Sequence, residues 1–148
     1  MDAQPVSALP DLMVSLEPTS TAPRAARRAI DQVRGRLPTS LLLDLQLIAS
    51  ELVTNSVLHS GMREDQRILL RLGLRHSHRG PVVRLSVRDP GPGFEPPGRG
   101  DPTRERHWGL HLVRRLSSGW GIERTELGTE VWAQMRLPAS GAHAILSA

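Results

Sequence analysis

Several residue types are missing from the 148-residue sequence, which contains no cysteine, no lysine and no tyrosine. The absence of cysteine excludes disulfides, thiolate metal sites, iron–sulfur clusters and cysteine nucleophiles, and it suits a reducing cytoplasm, where we expect the protein to be located. The absence of lysine excludes the G-x-x-x-x-G-K-[ST] phosphate loop and kinases of the common eukaryotic type. Aliphatic runs such as 41–43 fall far short of the roughly 18 residues that span a bilayer. Residues 1–10 lack the basic start and apolar run of a secretory signal.

The charged residues are mainly arginines, because 19 basic residues accompany 15 acidic ones and give a formal net charge of +4. They are scattered along the chain rather than clustered, so we expect neither nucleic acid nor a membrane as a partner. The arginines between residues 24 and 34 have two interpretations. They form either a solvated helix face or a surface for a protein partner.

The length of the chain allows one domain. We predict a disordered N-terminus over residues 1–10, a folded domain over 11–138 and a frayed tail over 139–148. The hydrophobic pattern predicts the order strand, helix, helix, strand, strand, loop, helix, strand, strand. Because the strands come in adjacent pairs, the predicted fold class is α+β. It is a two-layer sandwich with a mixed, mostly antiparallel sheet and helices on one face.

Two helices are predicted in the first half of the chain, after a short strand over residues 12–16. Threonine and serine at 19–21 are candidate N-caps for the first helix, in which apolar residues recur at helical spacing as far as Val33 and Leu37. The segment 38–40 is expected to stop this helix and cap the second one, which runs to Gly61. The second helix has an apolar stripe of Leu41, Leu45, Ile48 and Leu52.

The hydrophobic pattern in the second half of the chain predicts strands in pairs. Alternating apolar residues from Ile68 to Leu74 and from Val83 to Val87 predict a hairpin, with residues 76–81 as its connection. Glycine and proline exclude regular structure over 89–100. A short helix over 109–116 is followed by a last hairpin, formed by residues 120–125 and 130–137.

Three polar residues on the second helix, Glu51, Asn55 and His59, are spaced four apart and therefore lie on one stripe. Asn55 also continues the apolar stripe, where an unpaired carboxamide costs roughly 1–3 kcal/mol. One interpretation is a polar edge of an amphipathic helix. The other is an oxygen ligand for a hard cation beside a carboxylate base.

Three glycine-containing segments complete the set of candidate motifs. Asp89-Pro-Gly91-Pro-Gly93 follows a strand and suits either a common turn or close approach of a ligand to the backbone. Trp108-Gly109-Leu110 opens a helix whose free N–H groups can receive phosphate. Gly128-Thr129 precedes the last strand.

Together, in this order and spacing, the four segments resemble the motifs of the Bergerat-fold ATPases, the family of gyrase, Hsp90, histidine kinases and MutL. Within that family the sequence is most similar to small stand-alone ATP-binding anti-sigma factors, which phosphorylate a serine of an anti-sigma-factor antagonist. Residues 51–59 look like the N box, 89–93 like the first glycine box, 109–113 like the second and 128–129 like the last. The resemblance covers roughly residues 10–138.

The resemblance implies a role for each matching residue. Asn55 would bind Mg²⁺, Glu51 would act as the general base, and Asp89, supported by Thr129, would take the adenine amino group. Glycines at 91, 93 and 109 would let the backbone approach the nucleotide. His59 fits the N-box pattern and fits a capping or packing histidine equally well. The full set expected to bind the nucleotide is Asn55, His59, Asp89, Gly91, Gly93, Arg99, Arg104, Arg106, His107, Trp108, Gly109, Leu110 and Thr129.

Two departures from the family pattern lie in residues 94–108, the segment that resembles the ATP lid. His107 stands where the second glycine box usually has a glycine, and a histidine resists positive φ. Arginines rather than a lysine are available to meet phosphate oxygens; Arg99, Arg104 and Arg106 are the candidates, with a solvated lid as the alternative. Arginine binds phosphate bidentately, so the replacement does not disable the site.

The resemblance therefore implies an ATP- and Mg²⁺-dependent serine/threonine protein kinase that acts as an anti-sigma factor. Its expected partners are a sigma factor and an anti-sigma-factor antagonist, and a homodimer is compatible with the family. The alternative is a non-catalytic, ATP-dependent binding module that controls a transcription factor. A histidine kinase that acts on its own chain fits less well, because no histidine precedes His59.

Overall fold

The computed structural model describes residues 9–91 and 110–138. Five strands form one antiparallel sheet in the order β1-β2-β3-β5-β4, and three helices are described. The predicted α+β sandwich is confirmed, with every described strand pair antiparallel. The elements are β1 (Leu12–Leu16), α1 (Ala22–Asp31), α2 (Thr39–His59), β2 (Ile68–Ser77), β3 (Gly80–Asp89), α3 (Leu110–Leu116), β4 (Gly119–Thr125) and β5 (Gly128–Arg136).

The hydrophobic core lies between the helices and the sheet. The predicted stripe of α2 is buried, and it joins a single cluster with the alternating apolar residues of β2 and β3. Helix α2 is also long and apolar enough to cross a membrane, with a mean hydropathy of 1.4, but half of that window is buried inside the domain. It is the central helix of this core. The buried residues of α2 are Leu41, Leu42, Leu45, Ile48, Ala49, Leu52, Val53, Asn55 and Ser56.

The first helix is shorter than the sequence predicts. It ends at Asp31, although Val33 and Leu37 are buried as their helical spacing suggested. Successive three-residue turns carry the chain onward, with hydrogen bonds from Val33 N to Ile30 O and from Arg36 N to Val33 O. Gly35 adopts φ +84°, which ends any regular helix. Apolar spacing alone therefore overestimated this helix, because tight turns bury the same side chains.

The helix caps are in the predicted places but use different groups. Thr21 is the N-cap of α1 and makes no side-chain cap; its hydroxyl is hydrogen-bonded to that of Thr19 instead. Pro38 is the N-cap of α2, so Thr39 already lies inside the helix. Gly61, at φ +70°, ends α2 as predicted.

The two hairpins agree with the sequence, with small changes in their limits. Strands β2 and β3 pair as far as Ser77 and Gly80, so only residues 78–79 form the connection. Strand β5 ends at Arg136, one residue before the predicted limit. Strand β3 is central, between β2 and β5, and its last residue is Asp89.

Candidate functional site

The end of β3 places a carboxylate opposite a threonine, in the layer between sheet and helices. Asp89 pairs in register with Thr129 of β5, although 40 positions separate them in the sequence. Both residues are only 2% exposed. The first and last of the glycine-containing motifs therefore meet in space, as the resemblance implied.

The N-box helix reaches the same carboxylate through Ser56. The Ser56 hydroxyl donates a hydrogen bond of 2.8 Å to Oδ2 of Asp89, while the backbone N–H of Gly91 donates one of 3.1 Å to Oδ1. Sequence reasoning did not identify Ser56. A signal was available, because Ser56 is four residues after Leu52 and so continues the buried face of α2, where a hydroxyl needs a partner.

The environment of Asp89 opposes its ionisation in one way and favours it in two. Burial raises the pKa of the Asp89 carboxyl above its ordinary value of 3.8, and the hydrogen bonds from Ser56 and Gly91 lower it in part. Asp89 is therefore a buried hydrogen-bond acceptor that is shielded from water. Such a group suits recognition of an amino donor on a ligand.

The raised pKa predicts an unusual dependence of stability on pH for the variant Asp89→Asn. Between 3.8 and the native pKa, the folded state holds the Asp89 proton more tightly than the unfolded chain does. The contribution of this group to stability is therefore present at low pH and lost as pH rises through the native pKa. Asparagine does not titrate, so we expect the free energy of unfolding of Asp89→Asn to improve relative to wild type as pH rises. Urea unfolding between pH 4 and 8 measures this difference.

The control for this experiment is Asp65→Asn, in an exposed turn. The hydrogen bond from Arg63 lowers the pKa of Asp65, so any contribution of this carboxylate to stability is lost only as pH falls below 3.8, and the stability difference for Asp65→Asn should change little above about pH 5. A stability difference for Asp89→Asn that is constant, or that falls as pH rises, would contradict the assignment.

Two glycines allow the strand ends to pack closely. A Cβ on Gly91 would lie 2.5 Å from the carbonyl oxygen of Ser60, at the end of α2. A Cβ on Gly128 would overlap the Asp89 carbonyl oxygen and lie 2.7 Å from Cα of Pro90, and the φ of Gly128 is +125°. Both glycines therefore have a packing role within the protein itself.

The three polar residues of the N box lie on one continuous helix. Asn55 is 4% exposed, and Glu51 and His59 are half-buried one turn to either side. Their four-residue spacing within α2 confirms the predicted stripe.

Leu110 begins α3, and its side chain is completely buried in the core, so only its backbone could face a phosphate. Gly93, Arg99, Arg104, Arg106, His107, Trp108 and Gly109 lie outside the described residues.

Among the described residues of the site, the carboxamide of Asn55 is the candidate ligand for a metal. Within residues 9–91 and 110–138, no group of three or more histidine, aspartate or glutamate side chains could hold a metal ion. Mg²⁺ usually keeps several waters and takes one or two protein ligands together with substrate phosphates. The buried amide of Asn55, next in sequence to Ser56 and its contact with Asp89, fits that requirement. A cavity of about 370 Å³ lies elsewhere, beside Ser40 at the opposite end of α2.

Comparison with known families assigns the fold to an ATPase family. Residues 15–135 match the family model described as the histidine kinase-like ATPase domain. The chain belongs to this family. The Bergerat fold implied by the motifs is thus confirmed, and with it an ATP-binding domain of the kinase and ATPase type. A search of curated proteins found no match.

Solved structures show the same fold. The chain that contains the RsbU and RsbW domains of Rv1364c from Mycobacterium tuberculosis matches 87% of the present chain, with a TM-score of 0.64 and 25% sequence identity. The blue-light activated histidine kinase EL346 of Erythrobacter litoralis matches 77%, with a TM-score of 0.51 and 19% identity. The present chain spans 33% of the first of these chains and 40% of the second.

Proposed function

We propose that this member of the family is a cytoplasmic, ATP-binding anti-sigma factor with serine/threonine protein kinase activity, and that it phosphorylates an anti-sigma-factor antagonist. The observation that carries the proposal is the buried carboxylate of Asp89 opposite Thr129, joined to the N-box helix by Ser56. The motif order and the similarity to a chain with an RsbW domain support it.

Adenine recognition would use Asp89. An ionised carboxylate only accepts hydrogen bonds, and the adenine ring presents an amino donor where guanine presents a carbonyl acceptor. Each carboxylate oxygen of Asp89 accepts one hydrogen bond, from Ser56 or from Gly91, and keeps a further lone pair. Asp89 can therefore accept a hydrogen bond from the ligand without losing either contact. Thr129, directly opposite, would support the same contact.

Catalysis would use Asn55 and Glu51, two residues of α2 that precede Ser56. Bound Mg²⁺ would neutralise charge on the phosphates, and Asn55 would be its protein ligand. Glu51, one turn earlier and half-buried, would accept the proton of the partner's serine hydroxyl as the new oxygen–phosphorus bond forms and ADP leaves. The chain thus supplies a ligand and a base on one face of a single helix.

The partners would be a sigma factor and an anti-sigma-factor antagonist, and the serine of the antagonist would have to reach Glu51 beside the nucleotide. Arg24, Arg27 and Arg28 of α1 are exposed, and a hydrogen bond of 2.7 Å from Arg27 to Ser50 of α2 holds one of them in place. Such a row of arginines would steer an acidic partner to the domain. Such a partner surface is the second of the two interpretations of these arginines.

A second candidate is a regulatory module that binds ATP and its partner but transfers nothing. It is favoured by His107, which replaces a usual glycine of the second glycine box. Both candidates require nucleotide binding, so the transfer of phosphate separates them.

The test has two parts, both made with the full chain. Calorimetry with Mg²⁺ should show that ATP binds about 5- to 150-fold more tightly than GTP, because guanine would set two acceptors against each other. Incubation with γ-labelled ATP and a partner captured from the native host should then label a serine or threonine of that partner. Equal affinities would contradict the role of Asp89. Binding of ATP and partner without labelling would favour the regulatory module.

A further inference from the structure

The serine next to Asn55 makes the contact between the N-box helix and the adenine-binding carboxylate. Ser56 is 4% exposed, and its hydroxyl donates to Oδ2 of Asp89 at 2.8 Å. The other oxygen, Oδ1, accepts from the backbone of Gly91. Among the residues that the structure describes, Ser56 is the side-chain donor to Asp89 and Gly91 the backbone donor, so the Ser56 hydrogen bond can be removed by substitution without changing the backbone.

A second serine holds that turn of the helix. The hydroxyl of Ser60, which is completely buried, donates to the backbone carbonyl of Ser56 and accepts from the backbone N–H of Met62. Ser60 makes no hydrogen bond to Asp89 in the described structure. The two serines therefore have similar burial on the same helix, but only one of them contacts the carboxylate.

We propose that Ser56 is a positioning and specificity-determining residue, which keeps the Asp89 carboxylate ionised and oriented so that the site selects adenine over guanine. The inference rests on the proposed nucleotide binding and adds the residue that sets purine selection. It concerns the state of Asp89 rather than any direct contact between Ser56 and the ligand.

The chemical reason is the difference between a carboxylate and a carboxylic acid. A carboxylate accepts from the adenine amino group, whereas a protonated carboxyl also has one hydrogen to donate and can satisfy the carbonyl of guanine. A hydrogen bond to the ionised form favours that form, and desolvation opposes it. Without the Ser56 hydroxyl, the Gly91 N–H is the one donor among the described residues that still offsets the effect of burial on Asp89.

Charged neighbours do not replace Ser56 in this role. In the described part of the chain, the charged or titratable groups on the elements around Asp89 are Glu51 and His59 of α2, Arg67 just before β2, Arg88 of β3 and Glu130 of β5. Arg67 lines a cavity of about 190 Å³ together with Asp89, but no charged neighbour contributes to the shift in the pKa of Asp89. Arg88 and Glu130 are paired in register and point to the other face of the sheet, because side chains alternate along a strand. The pKa of Asp89 is set by burial and by the hydrogen bonds from Ser56 and Gly91.

The experiment compares Ser56→Ala with Ser60→Ala, each of which removes one buried hydroxyl from the same helix. Affinities for ATP and GTP are measured by calorimetry with Mg²⁺ between pH 5 and 8. For Ser56→Ala we expect the pH at which ATP affinity is lost to rise by about one unit, and the preference for ATP over GTP at that pH to narrow about tenfold. Ser60→Ala should keep the wild-type profile, and Ser56→Thr, which retains the hydroxyl, should restore it.

A direct readout separates this inference from the proposed function. The pKa of Asp89 in the nucleotide-free protein is obtained by NMR of carboxyl-labelled aspartate, and it should rise in Ser56→Ala but not in Ser60→Ala. If the wild type binds ATP and the Ser56→Ala profile is unchanged, the inference is wrong and the proposed function stands. Equal shifts in both variants would assign the effect to helix packing and also overturn it. If the wild type binds no nucleotide, the inference about Ser56 and the proposed function are both wrong.

Discussion

Glu51→Gln is expected to slow phosphoryl transfer to the partner by roughly 10²–10⁴ while ATP affinity stays within a few fold of wild type. Glutamine keeps the size of the side chain but cannot accept the proton of the serine hydroxyl. Glu51 is half-buried on α2, one turn before Asn55 and five residues before Ser56, which contacts the Asp89 carboxylate. The measurement is a single-turnover assay with saturating ATP and the partner, together with a separate titration of ATP.

The contrasting variant is Asn55→Ala, on the same stripe of the helix. Loss of the proposed Mg²⁺ ligand should remove the Mg²⁺ dependence of ATP binding, whereas Glu51→Gln should retain it. If Glu51→Gln transfers phosphate at the wild-type rate, Glu51 is not the base. If Asn55→Ala unfolds the domain, Asn55 acts as a structural residue of the core, consistent with its burial.

Gly128→Ala is expected to lower the free energy of unfolding by at least about 3 kcal/mol, and to weaken ATP binding as well. Two costs add at this position. The φ of +125° strains any L-residue by about 1–3 kcal/mol, and the new methyl group would overlap the carbonyl oxygen of Asp89. Relief of that overlap must move either the β4–β5 turn or the end of β3, which carries Asp89, the residue proposed to bind adenine. Urea unfolding and an ATP titration measure the two effects.

Gly80→Ala is the matched control. Gly80 also lies in a hairpin turn with positive φ, +110°, but a Cβ there would meet nothing within 4 Å. The substitution Gly80→Ala should therefore lower the free energy of unfolding only by the conformational strain and leave ATP affinity unchanged. A Gly128→Ala variant no less stable than Gly80→Ala would show that the last motif does not press against Asp89.

Local patterns in the sequence were sufficient to predict the elements of the fold. The alternation from Ile68 to Leu74 and from Val83 to Val87 is a property of single strands, and the stripe of α2 is a property of a single helix. Each follows from the geometry of its own backbone, with periods of 2 and 3.6 residues. The end of α1 was predicted wrongly because Val33 and Leu37 keep helical spacing in a segment of tight turns.

The sequence by itself determined the motifs and their spacing, because the N box lies within one helix and each glycine motif is a short contiguous stretch of the chain. Only the tertiary structure decided how they meet. The pairing of β3 with β5 sets Thr129 opposite Asp89, and the packing of α2 on the sheet sets Ser56 against Oδ2. These contacts join residues 40 and 33 positions apart. No local periodicity encodes such contacts, because they depend on which surfaces bury one another when the chain folds.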